Sequence, residues 1–284
     1  MTGERILWCG CVRPLDLLAR LEVATAGEFG SMSVSPMDIV QWGRKGWRPG
    51  DIRAAADEAG VRIAVVDPLT TWLADRRAPP TLDTNMVAFG DFGVEEVFDM
   101  ACAVGADTVT ALEWLGNRVP TEVGARSLAT ACAKAEERGL RVALEATPFS
   151  GIPDLRSACA IVEAAGGTAG LVIDSWHVLC GRRPADNLVL MEKIDPERII
   201  SVQLSDAPLV RKRDLRSATY ERMLPGDGDL DLARFVRVLE SNAARPRYIG
   251  PEVLSKALWE MPPDELGRRL RHSMSKVLEQ SRLG

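Results

Sequence analysis

The chain of 284 residues is long enough to form one large domain with a buried core, and it needs no disulfide bonds to hold that core together. Hydrophobic residues make up 46% of it and charged residues 26%, which is typical of a globular protein and excludes the disordered and fibrous classes. With 35 basic and 40 acidic residues, the formal net charge is -5, so the sequence offers no basic field for nucleic acid or anionic lipid.

The first ten residues, MTGERILWCG, contain neither the apolar core of a signal peptide nor an Arg- and Ser-rich amphipathic pattern. No stretch reaches the roughly 18 consecutive apolar residues of a membrane span. We therefore expect a cytoplasmic protein with no membrane partner. The six cysteines form no C-x-x-C pair and lie mostly in apolar runs, so we interpret them as small buried hydrophobic residues and not as zinc ligands.

Short apolar runs rich in β-branched residues alternate along the chain with segments of helical periodicity. The predicted strands are, in chain order, Arg5–Trp8, Ser31–Ser35, Val61–Val66, Thr108–Leu112, Arg141–Leu144, Leu171–Ile173, Ile199–Leu204 and Tyr248–Gly250. Between them, apolar residues recur at i, i+3, i+4 and i+7, most clearly in the segments that contain Leu128, Leu155 and Leu266. The pattern predicts eight strands and about eight helices.

Alternation of strands and helices over the whole length predicts parallel strands that are buried on both faces. Eight such units in residues 1–284, with no Gly/Ser/Pro-rich linker, are typical of a single-domain α/β protein, the (β/α)8 TIM barrel. A doubly wound open sheet is the alternative, although it usually has a Gly-rich phosphate turn after its first strand, and GCVRPLD is not one. RRAPPTLDT and Ser205–Leu230 are predicted to be long βα loops on the face where barrel active sites lie.

Polar residues stand at or near the C-terminal ends of the last four predicted strands. They are Glu145, Asp174, Gln203 and Glu252. Taken singly, each is more often a solvated loop residue or a helix cap. In a closed barrel these strand ends converge, and three carboxylates there would repel one another unless a cation lay between them. Because all four ligands would be oxygen atoms, the set favours Mn²⁺ or Mg²⁺ over tetrahedral zinc.

Five segments of the second half resemble the successive strand-end motifs of the xylose isomerase-like TIM barrel superfamily, the sugar phosphate isomerase/epimerase group. They are LEATPFSGIPDL, VIDSWHVLCG, VQLSDAP, RMLPGDGDLDL and PEVLS, within residues 144–255. The first half matches only in its strand–helix rhythm. The resemblance implies that one divalent metal ion is bound by Glu145, Asp174, Gln203 and Glu252.

The same resemblance implies roles for further residues. Glu145 and Glu252 would also be the catalytic acid/base pair, and His177 would bind substrate oxygens. Arg222 resembles the family arginine that reaches into the pocket from the seventh βα loop. Gln203 departs from the histidine of many epimerases in the superfamily, whereas glutamine is usual in hydroxypyruvate isomerase-like and dehydroshikimate dehydratase-like relatives. The substrate class therefore stays open.

These residues predict a metal-dependent isomerase or epimerase of a sugar or cyclitol hydroxy-carbonyl compound. A cation bound to the substrate's carbonyl and hydroxyl groups would stabilise an enediolate, while one glutamate takes a proton and the other returns it. If a β-hydroxyl group leaves instead, the enzyme is a dehydratase (lyase) of the 3-dehydroshikimate or inosose type. A non-catalytic barrel that binds a metabolite is a third hypothesis.

The expected partner is a small-molecule substrate, and related barrels often associate, so a homo-oligomer is an open alternative. The superfamily's DNA-repair endonucleases need several histidines for their multi-zinc sites. This chain has two, and His272 lies in the polar pattern RRLRHS of the last predicted helix, where we expect it to be solvated. We therefore do not expect DNA as a substrate.

Aromatic and charged residues near the strand ends are candidate substrate contacts. Five tryptophans fall at or shortly after predicted strand ends: Trp8, Trp72, Trp114, Trp176 and Trp259. We predict that at least two of them line the pocket, and we count Trp8, Trp114 and Trp176 as substrate-binding residues, because indole rings pack well against sugar rings. Glu113 and Asp206 are further candidate contacts. The run RKRDLR, Arg211–Arg216, either meets an anionic substrate group or forms a solvated face.

Overall fold

The computed structural model describes residues 1–73, 92–181, 183–209 and 214–283. Within these ranges, eight parallel strands pair in chain order, and the last pairs with the first. They are β1 Glu4–Leu7, β2 Ser31–Val34, β3 Arg62–Leu69, β4 Thr108–Leu112, β5 Arg141–Glu145, β6 Gly170–Asp174, β7 Ile199–Leu204 and β8 Tyr248–Pro251. The sheet closes on itself and leaves no edge strand, which excludes the doubly wound alternative. The predicted (β/α)8 TIM barrel is confirmed.

Helices lie between successive strands and pack against the sheet and one another. They are α1 Leu17–Ala26, α2 Pro36–Arg44, α3 Pro49–Glu58, α4 Val94–Val104, α5 Thr121–Glu136, α6 Leu155–Ala165, α7 Ser175–Cys180, α8 Pro184–Met191, α9 Leu215–Ala218, α10 Leu232–Ser241, α11 Lys256–Trp259 and α12 Pro263–Gln280. The three segments with the clearest periodicity form α5, α6 and α12. The short helices α7, α9 and α11 were not predicted, because one or two turns are too short to show a period.

Side-chain caps explain where several of these helices begin. Asp154 caps α6, where its carboxylate accepts a 2.9 Å hydrogen bond from the Ser157 N–H. Gly166, with φ at +65°, follows the last residue of the same helix in a conformation that other residues rarely adopt. Asp174 caps α7 and accepts a 3.0 Å hydrogen bond from the His177 N–H. Since Asp174 is also the last residue of β6, this cap fixes its carboxylate at the barrel mouth.

The core lies on both sides of the closed sheet. Every residue of β6 and of β7 is buried, as expected for parallel strands covered by helices outside and by side chains inside. The interior cluster joins Ile6 and Trp8 to Ala64 and Tyr248, which come from strands that are not all neighbours in the sheet. Trp8 therefore fills the inside of the barrel.

A polar network ties strands together at their N-terminal ends, opposite the mouth. Asp107, just before β4, accepts a 2.7 Å hydrogen bond from the Tyr248 hydroxyl, a 2.9 Å one from Arg62 and a 3.1 Å one from Arg247. Although partial burial disfavours its charged form, hydrogen bonds from Thr108 and Tyr248 lower the pKa of Asp107. The network therefore holds β3, β4 and β8 together through an ionised carboxylate.

Of the two predicted βα loops, the structure describes most of only the second. RRAPPTLDT lies outside the described residues. The segment Ser205–Leu230, described except for 210–213, contains α9 and two antiparallel bridges, Asp206 with Met223 and Glu221 with Ser255. It is more ordered than the predicted loop. None of the described helices combines the length and apolar character that crossing a membrane requires.

Candidate functional site

The ends of the last four strands bring the predicted metal ligands to the barrel mouth. Glu145 and Asp174 are the last residues of β5 and β6, Gln203 lies beside Asp174 in the register of β7, and Glu252 follows β8 directly. All four side chains are buried. Oxygen atoms of Glu145 and Asp174 and a ring nitrogen of His177 lie within 4.8 Å of one another. The structure thus gathers these residues at one end of the barrel.

The amide of Gln203 indicates that a ligand belongs at this point. The residue is 0% exposed, and neither its oxygen nor its nitrogen has a hydrogen-bond partner in the described part of the chain. Leaving a buried amide unpaired costs about 1–3 kcal/mol, so such a group calls for a partner. An amide oxygen beside three carboxylates is a donor set that suits a hard divalent cation, and these residues therefore fit the expected metal ion.

The carboxylates repel one another as the sequence suggested. Burial, with a contribution from Asp174, raises the pKa of Glu145 to about 8. Burial also raises the pKa of Glu252, and the neighbouring Asp67 and Glu145 raise it further. Burial opposes ionisation of Asp174 too, but Arg222 next to it holds the pKa of that carboxyl below its usual value. The mouth thus concentrates negative charge that a cation would neutralise.

Arg222 is the buried cation of this centre. It extends from the segment after β7, and its Nη1 donates hydrogen bonds to Asp174 Oδ2 at 2.7 Å and to the Glu252 backbone oxygen at 3.2 Å. Its Nη2 donates to Thr219 Oγ1 at 3.1 Å, and the guanidinium carbon lies 5.0 Å from the centre of the Trp176 ring. The arginine therefore lies at the mouth, with its charge beside the carboxylates that were predicted to bind a metal ion.

His177 stands between Arg222 and Glu145. Its Nε2 lies 3.3 Å from Arg222 Nη2 and 3.2 Å from Glu145 Oε1. Burial lowers the pKa of His177 to about 4, so the ring is neutral at pH 7. Its Nδ1 is buried and has no hydrogen-bond partner within the described residues, as is also true of the Thr147 hydroxyl. Both residues line the cavity above the carboxylates, where a substrate oxygen would satisfy them.

A cavity of about 180 Å³ opens above these residues. Its walls include residues that the sequence analysis did not select: Cys9, Arg13, Asp67, Thr147, Phe149, Thr219 and Tyr220. They come from loops and strand ends around the barrel, including those of the first half of the chain. The cavity is therefore built by the whole barrel and not only by the segments with family motifs.

Asp67 is the most informative of the missed residues. It lies near the C-terminal end of β3, it is 6% exposed, and its carboxylate accepts no hydrogen bond from the described residues. Donor atoms of Cys9, Asp67 and Glu252 lie within 4.8 Å of one another. The signal was present in the sequence as VVDPL, since this aspartate follows an apolar strand just as Asp174 does.

The tryptophan prediction is wrong in part. Trp114 lines the described walls of the cavity, whereas the other four tryptophans do not. Trp8 fills the barrel interior, and Trp176 lies beneath the Arg222 guanidinium. The remaining two donate their indole N–H groups to backbone oxygens, at 3.2 Å for Trp72 and 3.0 Å for Trp259. The expectation of at least two tryptophans in the wall is not met, because most of these rings are used for packing.

Glu113 has a structural role in place of the predicted substrate contact. Its buried carboxylate accepts hydrogen bonds from the N–H groups of Leu115 at 2.8 Å and Gly116 at 3.1 Å, and from that of Gly151. These groups belong to the loops after β4 and β5. A Cβ atom at Gly151 would lie 1.5 Å from the Asn117 oxygen, so only glycine permits this approach. Glu113 therefore fastens one wall loop to the next.

Asp206 acts in the same way after β7. Its carboxylate accepts hydrogen bonds from the N–H groups of Ala207, Gly226 and Leu230, at 2.8, 3.0 and 3.0 Å. These bonds close the segment that carries Arg222, and they use the carboxylate that was expected to contact substrate. Of the charged run that follows, Arg211–Arg213 lie outside the described residues, while Arg216 lines the cavity.

A family model described as xylose isomerase-like TIM barrel matches residues 22–274. The chain belongs to this family. The xylose isomerase-like barrel is similar to the 3-dehydroshikimate dehydratase of Pseudomonas aeruginosa, with 27% identity over 237 residues, 80% of this chain and 34% of that protein. It is 23% identical to the 3-dehydroshikimate dehydratase of Pseudomonas putida over 93% of this chain and 40% of that protein. The chain thus spans little more than a third of these curated relatives.

Solved structures show the same fold at lower identity. The barrel matches a xylose isomerase-like TIM barrel/4-hydroxyphenylpyruvate dioxygenase fusion protein with a TM-score of 0.83 and 22% identity, over 100% of this chain and 44% of that one. It matches the IolI protein with a bound zinc atom at a TM-score of 0.81 and 16% identity, over 98% and 99% of the two chains. It matches D-allulose 3-epimerase from Methylomonas sp. with a TM-score of 0.69 and 15% identity, over 97% of this chain and 97% of that one.

Proposed function

We propose that this protein is a divalent-metal-dependent enzyme that moves a proton on the carbon next to the carbonyl group of a hydroxy-carbonyl compound. The observation that carries the proposal is the fully buried Gln203 amide, which has no partner in the described structure and lies beside Asp174 in the strand register at the barrel mouth. Glu145, Asp174, Gln203 and Glu252 would hold the ion. A bound Mn²⁺ or Mg²⁺ would supply Lewis-acid stabilisation of negative charge on the substrate oxygen.

Glu145 and Glu252 are suited to exchange protons with the substrate. They stand at the ends of β5 and β8, separated by two strands, and both line the cavity. Burial raises the pKa of both carboxyl groups, and a raised pKa favours proton transfer near neutral pH. One glutamate would take the proton from carbon, and the other would return a proton to the opposite face or to the neighbouring carbon.

The other polar residues of the cavity would orient the substrate. His177 and Thr147 each present a buried polar atom without a partner in the described chain, and a neutral imidazole can either donate or accept a hydrogen bond. Arg222 keeps Asp174 ionised and so keeps it ready to bind a cation. Together these groups would bind the oxygens of a compact polyol.

Two reactions share this proton transfer. Return of the proton gives an isomerase or epimerase, and the fold of D-allulose 3-epimerase supports that outcome. Loss of a β-hydroxyl group as water gives a dehydratase, and one observation favours it. The two curated relatives above are 3-dehydroshikimate dehydratases, whereas the glutamine at position 203 is compatible with both reactions. We therefore favour dehydration of a hydroxylated cyclic ketone, with epimerisation as the second candidate.

Mass spectrometry separates the two reactions. Purified protein loaded with Mn²⁺, Mg²⁺ or Co²⁺ is incubated in deuterated water with 3-dehydroshikimate, with an inosose and with a ketose. A dehydratase gives a product lighter by one water, whereas an epimerase gives a product of unchanged composition that carries deuterium at carbon. Absence of both products and of any deuterium exchange, with every metal, would refute the proposed function.

A further inference from the structure

The cavity is lined by both acidic and basic side chains. At its floor lie the carboxylates of Glu145 and Glu252, with Asp67 beside them. Its wall also contains two arginines that the metal centre does not use, Arg13 from the loop after β1 and Arg216 from α9. A substrate inside the cavity therefore meets carboxylates from the strand ends and guanidinium groups from the segments beyond them.

Arg216 is held in place by neutral groups. Its Nη2 donates a 2.8 Å hydrogen bond to the Trp114 backbone oxygen, and its guanidinium carbon lies 5.2 Å from the centre of the Phe149 ring. The nearest acidic residue in the chain, Asp214, accepts hydrogen bonds from the Arg216 backbone N–H and from Ser217. No carboxylate of the described residues lies within ion-pair distance of the Arg216 guanidinium, although Asp214 interacts with it electrostatically over a longer distance. The guanidinium lines the cavity.

Arg13 adds positive charge nearby. Its Nη1 donates a 3.1 Å hydrogen bond to the Tyr220 hydroxyl, and its guanidinium carbon lies 5.8 Å from the centre of that ring. Aromatic contacts of this kind orient a planar guanidinium.

We propose that the substrate carries an anionic group, a carboxylate or a phosphate monoester, which binds Arg216 with Arg13 nearby. Guanidinium groups match the two oxygens of a carboxylate in a planar, bidentate geometry, and the sequence has no Gly-rich phosphate loop, so the carboxylate is the favoured form. The inference rests on the proposed function only in placing the reacting hydroxy-carbonyl group at the floor. Among the candidate substrates of the proposed function, it favours a hydroxylated ring acid over a neutral ketose or inosose.

Calorimetric titration with unreactive probes tests this arrangement on the metal-loaded protein. The carboxylate arm compares shikimate with its methyl ester, and the phosphate arm compares myo-inositol 1-phosphate with myo-inositol. None of the four has a ketone, so their affinities do not depend on the proposed chemistry. If a charge-assisted hydrogen bond forms, the wild-type protein should bind the anionic member of at least one pair about tenfold or more tightly than the neutral member.

Variants of Arg216 test whether this residue causes the preference for the anionic probe. Arg216→Gln should reduce the preference to about twofold or less, and Arg216→Lys should retain part of it because the charge remains. Arg234→Gln removes the same charge from an exposed position on α10 and should leave the preference unchanged. Equal affinities within both pairs in wild type, or a preference that persists in Arg216→Gln, would overturn the inference. Failure to detect proton exchange would instead refute the proposed function and leave these affinities as they are.

Discussion

The Arg222 guanidinium forms a 2.7 Å hydrogen bond with the Asp174 carboxylate at the mouth of the barrel. Both side chains are almost completely buried, and the arginine comes from a segment that Asp206 closes with three hydrogen bonds. In a buried pair, removal of one partner leaves an uncompensated charge in a medium of low polarity. The pair therefore couples the ordering of this segment to the charge of the proposed metal site.

Arg222→Met should destabilise the protein more strongly without a metal ion than with one. Loss of the guanidinium leaves Asp174 unpaired, at a cost of about 3–5 kcal/mol, whereas a bound divalent cation supplies a replacement charge. The melting temperatures of wild type and variant are compared in EDTA and in Mn²⁺. Arg216→Met is the control, and it should show no such difference between the two conditions. Equal destabilisation of Arg222→Met in both would contradict the coupling.

Gln203→Leu should weaken metal binding and yet stabilise the metal-free protein. The leucine removes a buried amide without a described partner, and this should raise the unfolding free energy by about 1–3 kcal/mol. It also removes one of the proposed metal ligands. We expect metal affinity to fall by about 100-fold or more, measured by competition with a fluorescent chelator. Thr110→Val removes another buried polar atom without a described partner and is the control, which should retain metal affinity. A Gln203→Leu protein that retains its metal would remove the main support for the site.

Glu113→Gln should raise KM more than it lowers kcat. The glutamine amide group cannot accept all the N–H groups that the carboxylate of Glu113 accepts, so the loops that carry Trp114 and Phe149 lose their fixed separation. We expect a loss of about 1–3 kcal/mol of unfolding free energy as well. Urea denaturation and steady-state kinetics measure the two effects. Glu122→Gln, at an exposed position on α5, is the matched control. A large fall in kcat at constant KM would indicate a direct role in catalysis.

Stability should fall in acid because of Asp107. Its pKa is lowered in the folded protein, so its contribution is fully present above the unfolded value of about 3.9 and is lost as the pH falls through the folded value. Asp107→Asn should be less stable than wild type at pH 6, and the difference should shrink towards pH 2. Melting curves across this range measure it.

Strand order and the convergence of the candidate ligands at the barrel mouth were predictable because both depend on simple periodicities. Runs of apolar residues identified all eight strands, and β4 and β7 have the predicted bounds. The converging ends of β5 to β8 then followed from barrel closure. The cap that Asp174 provides for α7 also explains why a histidine three residues later returns to the same mouth.

Side-chain direction at a strand end was harder to predict. Glu145 and Glu113 both end apolar strands, but Glu145 pairs with Leu112 in the register, so Glu113 lies one residue further along its strand. Because successive strand residues point to opposite sides, this single step turns Glu113 away from the cavity. Trp8 is a similar case, since the sequence gives its position at the end of the first strand but not the space that its ring must fill inside the barrel.

The fastening of two neighbouring loops by Glu113 has a consequence for protein engineering. Exchange of the loop after β4 alone would remove an acceptor on which the loop after β5 depends, and Gly151 leaves no space for a bulkier replacement. Redesign of specificity in this barrel therefore requires that both loops be grafted together as one module.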